Sequence, residues 1–169
     1  QVQLDWMVRE CLSRNDGAIH YIRAYRKNVT EVYEPGTKFE LGKGKVLIPG
    51  DEVLLVGSGY LMGDALTAAE ELRAQGISVE VVDPVTIKPF DEELILNETK
   101  GKKLVVTYEN HGTVNGIGSA VADVLAKNGA GVPLLKLGAT EIFGQVGMVD
   151  LLKEAYKLTA KDAVAEILK

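Results

Sequence analysis

The sequence predicts an α/β domain of three layers, in which a mostly parallel β-sheet lies between helices on both faces. The run from residue 50 to residue 91 contains an apolar strand, a Gly-rich turn, a helix, a second apolar strand and a Pro-bounded turn. Together these form one parallel βαβ unit. Further apolar runs alternate with helical stripes towards the C-terminus, and strands that are apolar throughout are typical of a parallel sheet covered on both sides.

The N-terminal segment predicts a helix, a strand and a linker. A helix is predicted over residues 4–12, where apolar residues recur at the spacing of one helical face, namely Leu4, Met7, Val8, Cys11 and Leu12. Gly17 should follow this helix in the left-handed conformation. Residues 18–25 are aromatic and β-branched and predict a strand. Residues 26–42 are polar, contain a Pro-Gly turn and predict a linker.

The rest of the chain predicts the alternating part of the fold. Residues 43–48 predict a short strand, and a turn leads directly into a strand at 52–57, so the two are expected to pair antiparallel. Apolar stripes then predict helices at 61–72, 92–97 and 117–125, alternating with strands at 79–82, 104–108 and 134–137. Two short helices near 147–156 and 160–168 end the chain. Thr159 and Asp162 have the spacing of an N-terminal capping signal for the last of them.

Composition limits the classes of protein. The 169 residues, 46% of them hydrophobic, fit one domain or one domain plus a partial element. The net charge of −5 provides no basic face for nucleic acid, and no apolar run approaches the length of a membrane span. The single cysteine allows no internal disulfide and favours a reducing, cytoplasmic compartment. The chain begins at Gln1 without an initiator Met, so we expect it to be part of something longer.

Few residues predict chemistry. Gly116 and Gly118 open a helix after a strand and could approach an anion, but the G-x-G-x-x-G pattern fails at Val121, so a tight structural turn is favoured. Glu109 and His111 follow a strand at the sheet edge where ligands bind, which leaves a role at a site or interface open beside simple loop capping. The histidines have no metal-ligand spacing, and no catalytic residue is predicted.

Two arginines stand out near the N-terminus. Arg23 lies in the predicted strand 18–25, and Arg26 follows it directly. Two guanidinium groups at a strand end could bind a phosphate through paired hydrogen bonds. Spacing alone favours the alternative, which is a pair of solvated surface arginines.

Several short motifs in fixed order resemble the end of a transketolase. They include the run Asp16-Gly17-Ala18-Ile19-His20-Tyr21-Ile22-Arg23 and, further on, the segments at 39–44, 57–59, 86–91, 108–121 and 143–147. The match covers nearly the whole chain. Among transketolases, the sequence is most similar to the small subunit of split, two-gene enzymes.

The resemblance implies a domain organisation. Residues 1–35 would be the terminal helix and strand of a truncated pyrimidine-binding domain, and residues 39–169 a complete transketolase C-terminal domain. That domain has a five-stranded sheet with one antiparallel edge strand, in agreement with the pairing expected for residues 43–48. The family arginine that contacts the substrate phosphate matches Arg26, with Arg23 as second choice.

The resemblance also implies a function. Transketolases are transferases of the pentose phosphate pathway that move a two-carbon ketol unit between sugar phosphates, using thiamine diphosphate and Mg²⁺ held by other domains. This chain is therefore expected to bind no cofactor, to be inactive alone and to support a homodimer with the remaining domains or subunit. The alternatives are deoxyxylulose phosphate synthase, a 2-oxoacid dehydrogenase beta subunit, a noncatalytic assembly module and an independent nucleotide-binding domain.

Overall fold

The protein is described by a computed structural model for residues 1–140 and 143–169. In these residues the helices are α1 (Val2–Ser13), α2 (Met62–Ala74), α3 (Glu92–Glu98), α4 (Ile117–Lys127), α5 (Val149–Ala155) and α6 (Ala160–Ile167). The strands are β1 (Lys45–Ile48), β2 (Val53–Gly57), β3 (Val79–Asp83), β4 (Leu104–Gly112) and β5 (Leu134–Ala139). None of the helices in this part of the chain has both the length and the apolar character needed to cross a membrane.

The strands form one mixed sheet in the order β1-β3-β2-β4-β5. The four strands β2 to β5 are mutually parallel, and β1 runs antiparallel to β3 at the edge. The prediction of a mostly parallel, five-stranded sheet with one reversed edge strand is therefore confirmed.

The partner predicted for β1 is wrong. β1 pairs with β3, with Lys45 opposite Asp83, whereas β2 pairs with β3 and β4. After β1 the chain crosses the amino end of β3, where Gly50 passes so close to the β3 backbone that a Cβ would collide with Val79. Glu52 N then donates to Ser78 O at 2.9 Å. This crossing places β1 on the outer side of β3 and β2 on its inner side.

Alternate residues of the buried strands face two separate cores. On one face, side chains of β2 and β3 such as Leu55 and Val81 pack with α2 and α6. On the other, Leu54 and Val82 pack with α3 and α4. Because a strand points successive side chains to opposite faces, both faces are apolar and both need helices, which confirms the three-layer prediction.

Local sequence decides several helix ends, and the capping signal predicted at Thr159 and Asp162 is confirmed. Gly76 and Gly129 have positive φ angles of +87° and +61° directly after the ends of α2 and α4. Thr159 and Asp162 form a reciprocal capping box at the start of α6, with Asp162 N donating to Thr159 Oγ1 at 3.2 Å. These signals depend on residues within one helical turn of each other.

The predicted strand at 18–25 is wrong. The structure gives these residues no regular secondary structure, and Ile19 and Tyr21 are 99% and 84% exposed. A strand is stable only when a neighbour satisfies its backbone groups, and no strand of the described residues lies beside this segment. The preceding helix is confirmed as α1, but it buries none of its residues.

Candidate functional site

Two buried carboxylates mark the edge at which the parallel strands end. β3 ends at Asp83, and Glu109 lies near the end of β4. Asp83 is only 4% exposed and Glu109 only 3%. This is the edge where open α/β sheets bind ligands, so the partners of these groups decide what the edge can do.

The carboxylate of Glu109 makes its hydrogen bonds inside the fold. Its Oε2 accepts a hydrogen bond from Ile117 N and its Oε1 accepts one from Gly118 N, both at 2.8 Å. The carboxylate therefore caps the positively polarised N-terminus of α4. The place that an external anion would take is filled by this side chain.

The glycines of this turn serve close packing, as predicted. A Cβ on Gly116 would collide with the Glu109 carboxylate, and one on Gly118 would lie 2.8 Å from Thr107 Oγ1. Only glycine allows the start of α4 to approach β4 this closely.

The location predicted for His111 is corrected by the length of β4. The sequence predicts Glu109 and His111 in a loop after residue 108, but β4 continues past an irregularity to Gly112, which pairs with Ala139. His111 is exposed, and its Nδ1 lies 3.0 Å from Gly112 O. A role for Glu109 or His111 at an interface stays a prediction.

Arg23 and Arg26 are exposed, in the segment that lacks regular structure. Among the described residues, neither guanidinium group takes part in a hydrogen bond or ion pair. Tyr25, the residue before Arg26, stacks on Tyr60 with ring centroids 4.5 Å apart. Within the described residues the arginines therefore make no hydrogen bond or ion pair with the buried carboxylates, and the Tyr25 contact places Arg26 beside the turn that follows β2.

A polar cavity lies next to this segment. It has a volume of about 320 Å³, and its lining includes Asn28, Thr30 and Tyr60. It also includes the ion pair of Asp64 with Lys153, whose closest N–O distance is 2.6 Å. The cavity lies between the N-terminal segment, α2 and α5.

Asp83 at the end of β3 forms hydrogen bonds with two residues of the N-terminal segment. Its Oδ2 accepts hydrogen bonds from Tyr33 Oη at 2.6 Å and from Gln3 Nε2 at 3.0 Å, and its Oδ1 accepts one from Val85 N. Burial raises the pKa of Asp83, although these three hydrogen bonds act in the opposite direction. Burial and the nearby Asp83 carboxylate together raise the pKa of Tyr33.

Sequence reasoning missed Asp83, Asp64 and Lys153. The signal for Asp83 was present, because an acidic residue at the end of a fully buried strand needs a partner. Nothing in the sequence indicated its partners, which lie 50 and 80 positions away. No group of three or more metal-ligating side chains occurs in residues 1–140 and 143–169.

The sheet order, the reversed edge strand and the carboxylate-capped α4 define a three-layer α/β domain with a mixed sheet. The sequence model described as "Transketolase, C-terminal domain" matches residues 42–163. The chain belongs to this family.

Comparison with known proteins finds a transketolase subunit and a 1-deoxy-D-xylulose-5-phosphate synthase among the relatives. The chain is 42% identical over 150 residues to the 6-deoxy-6-sulfo-D-fructose transketolase subunit SqwH of a Clostridium species, covering 89% of this chain and 46% of the relative. It is 34% identical over 161 residues to the 1-deoxy-D-xylulose-5-phosphate synthase of Heliobacterium modesticaldum, covering 95% of this chain and 25% of that enzyme.

A solved structure described as "Split gene transketolase, inactive beta4 tetramer" has the same fold. It is 40% identical to the chain, with a TM-score of 0.80, and the match covers 85% of this chain and 46% of that one. The chain thus spans about half the length or less of these relatives.

Proposed function

We propose that this chain is the C-terminal part of a transketolase, which transfers a two-carbon ketol unit between sugar phosphates in the pentose phosphate pathway. The observation that carries the proposal is the 42% identity to a transketolase subunit, over 89% of the chain. The similarity therefore includes residues outside the C-terminal domain match at 42–163. The chain alone would be inactive and would support the assembly of the enzyme.

Arg26 is proposed to bind the substrate's terminal anion, with Arg23 as second choice. Both guanidinium groups are exposed, and a guanidinium binds phosphate oxygens through two parallel hydrogen bonds. The name of the SqwH relative specifies a sugar with a sulfo group. A sugar phosphate and a sulfo sugar have one feature in common, which is a terminal anion.

Thiamine diphosphate and Mg²⁺ are proposed to bind outside this chain. The residues at its sheet edge do not fit the cofactor, because the N-terminus of α4 is filled by Glu109. The described ranges also offer no cluster of metal ligands. The chemistry of the cofactor is therefore assigned to the remaining domains or subunit.

We propose a homodimer located in the cytoplasm. Several apolar side chains near the C-terminus are more than half exposed, namely Phe143, Val146, Met148 and Leu151. Exposed apolar groups in this number favour an interface. The single cysteine is consistent with a reducing compartment.

Arg26→Ala tests the substrate assignment in the complete enzyme. We expect KM for a phosphorylated ketose to rise by about ten- to a hundredfold, since a hydrogen-bonded ion contact contributes about 1.5–3 kcal/mol. Steady-state kinetics with phosphorylated and uncharged ketoses would measure this, with exposed Lys38→Ala as the control. An unchanged KM for the phosphorylated sugar rejects the role of Arg26.

Calorimetric titration of this chain with thiamine diphosphate and Mg²⁺ tests where the cofactor binds. We expect no saturable heat, because the anion position at α4 is already occupied by a carboxylate. The complete enzyme serves as the positive control. Saturable binding by the chain alone would contradict the proposal.

Deoxyxylulose phosphate synthase is the second candidate, favoured by the 34% identity over 95% of the chain. Product analysis of the complete enzyme separates the two functions. Formation of 1-deoxy-D-xylulose 5-phosphate in place of ketol transfer would select the second.

A further inference from the structure

The residue next to Arg26 makes an aromatic contact with the turn that follows β2. Tyr60 lies in the 3₁₀ turn Gly59–Leu61 that links β2 to α2. Its ring stacks on that of Tyr25, with centroids 4.5 Å apart and an angle of 24° between the planes. Stacked aromatic pairs of this geometry are attractive beyond the area they bury. The contact holds the residue directly before Arg26 against the C-terminal domain.

The ring of Tyr60 contacts a lysine of α5 that is in turn paired with a carboxylate of α2. Lys153 of α5 places its Nζ 5.6 Å from the centre of the Tyr60 ring, within the range of a cation–π contact. The same Nζ lies 2.6 Å and 2.8 Å from the two carboxylate oxygens of Asp64 on α2. Both charged side chains are less than one fifth exposed. The ring of Tyr60 therefore packs against a lysine that is held in place by a partly buried ion pair.

The segment is also fixed after Arg26. Thr30 packs on Gly63 at the start of α2, where a Cβ on Gly63 would lie 2.9 Å from the Cβ of Thr30. The backbone is thus held at Tyr25 and at Thr30. Between these two points the side chain of Arg26 is exposed, and it makes no hydrogen bond within the described parts of the chain. A fixed backbone with a free guanidinium group loses less entropy on binding an anion than a mobile segment does.

We propose that Tyr60 is a positioning residue for Arg26, and that it holds this arginine, through Tyr25, in place for the terminal anion of the sugar substrate. The inference rests on the proposed function, in which Arg26 contacts that anion. It adds a contribution of the C-terminal domain to substrate selection. The anion is a phosphate or a sulfo group, which a guanidinium binds in the same way.

The test compares Tyr60→Ala with Tyr60→Phe in the complete enzyme. The substrates are a ketose 6-phosphate, a 6-deoxy-6-sulfo ketose and an uncharged ketose. Comparing KM for the two charged sugars shows which anion the site prefers. Tyr60→Ala should raise KM for the preferred charged substrate about three- to tenfold, the range expected for one aromatic pair. Kinetics with the uncharged ketose should not change. Tyr60→Phe keeps the ring and should behave as wild type.

Tyr25→Ala removes the same contact from its more exposed partner, and so covers the case in which Tyr60→Ala does not fold. It should raise the same KM, and the double variant should add little, because both changes remove one contact. If KM rose equally for charged and uncharged substrates, Tyr60 would have a merely structural role, and the inference would be overturned. Unchanged KM in both variants would also overturn it.

Trypsin cleavage after Arg26 gives a readout that does not require activity. In the complete protein, Tyr60→Ala should be cut there several times faster than wild type, and Tyr60→Phe at the wild-type rate. If the wild-type enzyme transfers no ketol unit, the proposed function fails while the cleavage rates still report on the contact. If Arg26→Ala raises KM and Tyr60→Ala does not, only the inference fails.

Discussion

Lys102→Met should lower the free energy of unfolding by about 3–5 kcal/mol at pH 7, the usual cost of leaving one partner of a buried ion pair alone. Lys102 Nζ lies 3.4 Å from Glu80 Oε2 at the amino end of the sheet, and both side chains are 6% exposed. Lys102 also donates a hydrogen bond to Gly50 O. The variant keeps an apolar chain of similar length, so its effect reports the charge. Chemical denaturation followed by circular dichroism measures it.

The loss of stability in Lys102→Met should grow as pH rises. Burial raises the pKa of Glu80 above its ordinary value, and Lys102 counteracts this effect. Without Lys102 the pKa of Glu80 should rise further, so that the native state holds the proton over a wider pH range than the unfolded state. Stability of the variant therefore falls as pH rises through this range. Conversely, the deficit should shrink as pH falls towards the ordinary pKa of a glutamate.

Two further variants control the interpretation. Adding Glu80→Met to Lys102→Met removes both charges and should recover most of the lost stability, because no unpaired charge remains buried. Lys127→Met breaks the exposed pair with Glu92 and should cost several times less. A Lys102→Met loss that is no greater than that of Lys127→Met, or that does not change with pH, would contradict the prediction.

Glu109→Gln should lower the free energy of unfolding by about 2–4 kcal/mol. The carboxylate accepts from the amides of Ile117 and Gly118, and a glutamine can accept only one of these bonds because its NH₂ group is a donor. One buried amide then lacks an acceptor, and the negative charge at the start of α4 is lost. Equilibrium denaturation measures the total effect.

Hydrogen exchange locates the effect of Glu109→Gln. The amides of Ile117 and Gly118 should exchange faster, whereas those of β2 should change only with global stability. Glu70→Gln, at an exposed position of α2, is the matched control. If the two variants lose equal stability, Glu109 does not cap α4 in the way described.

Local sequence patterns predicted most elements of this fold correctly. The burial of β2 and β3 followed from continuous apolar runs, and the start of α6 followed from Thr159 and Asp162. Such signals work because they act within one strand or one helical turn. The pattern at 18–25 was equally typical of a strand, but a strand also needs a neighbour, which its own residues do not specify.

The candidate site was predictable only in part. The position of Glu109 at the end of a strand marked it for attention, but whether its carboxylate pointed outward or onto α4 depended on how α4 packs against β4. The contact of Tyr25 with Tyr60 joins residues 35 positions apart in the sequence. No pattern in either segment indicated the other.

The sequence by itself determined the class of fold, the alternation of strands and helices, and the family resemblance, because apolar periodicity and turn residues are local properties. Only the tertiary structure decided that β1 pairs with β3, that Glu109 caps α4 and that Asp83 binds Tyr33. These contacts join segments that are distant along the chain. Their geometry is fixed by the packing of two cores against one sheet, which no single segment encodes.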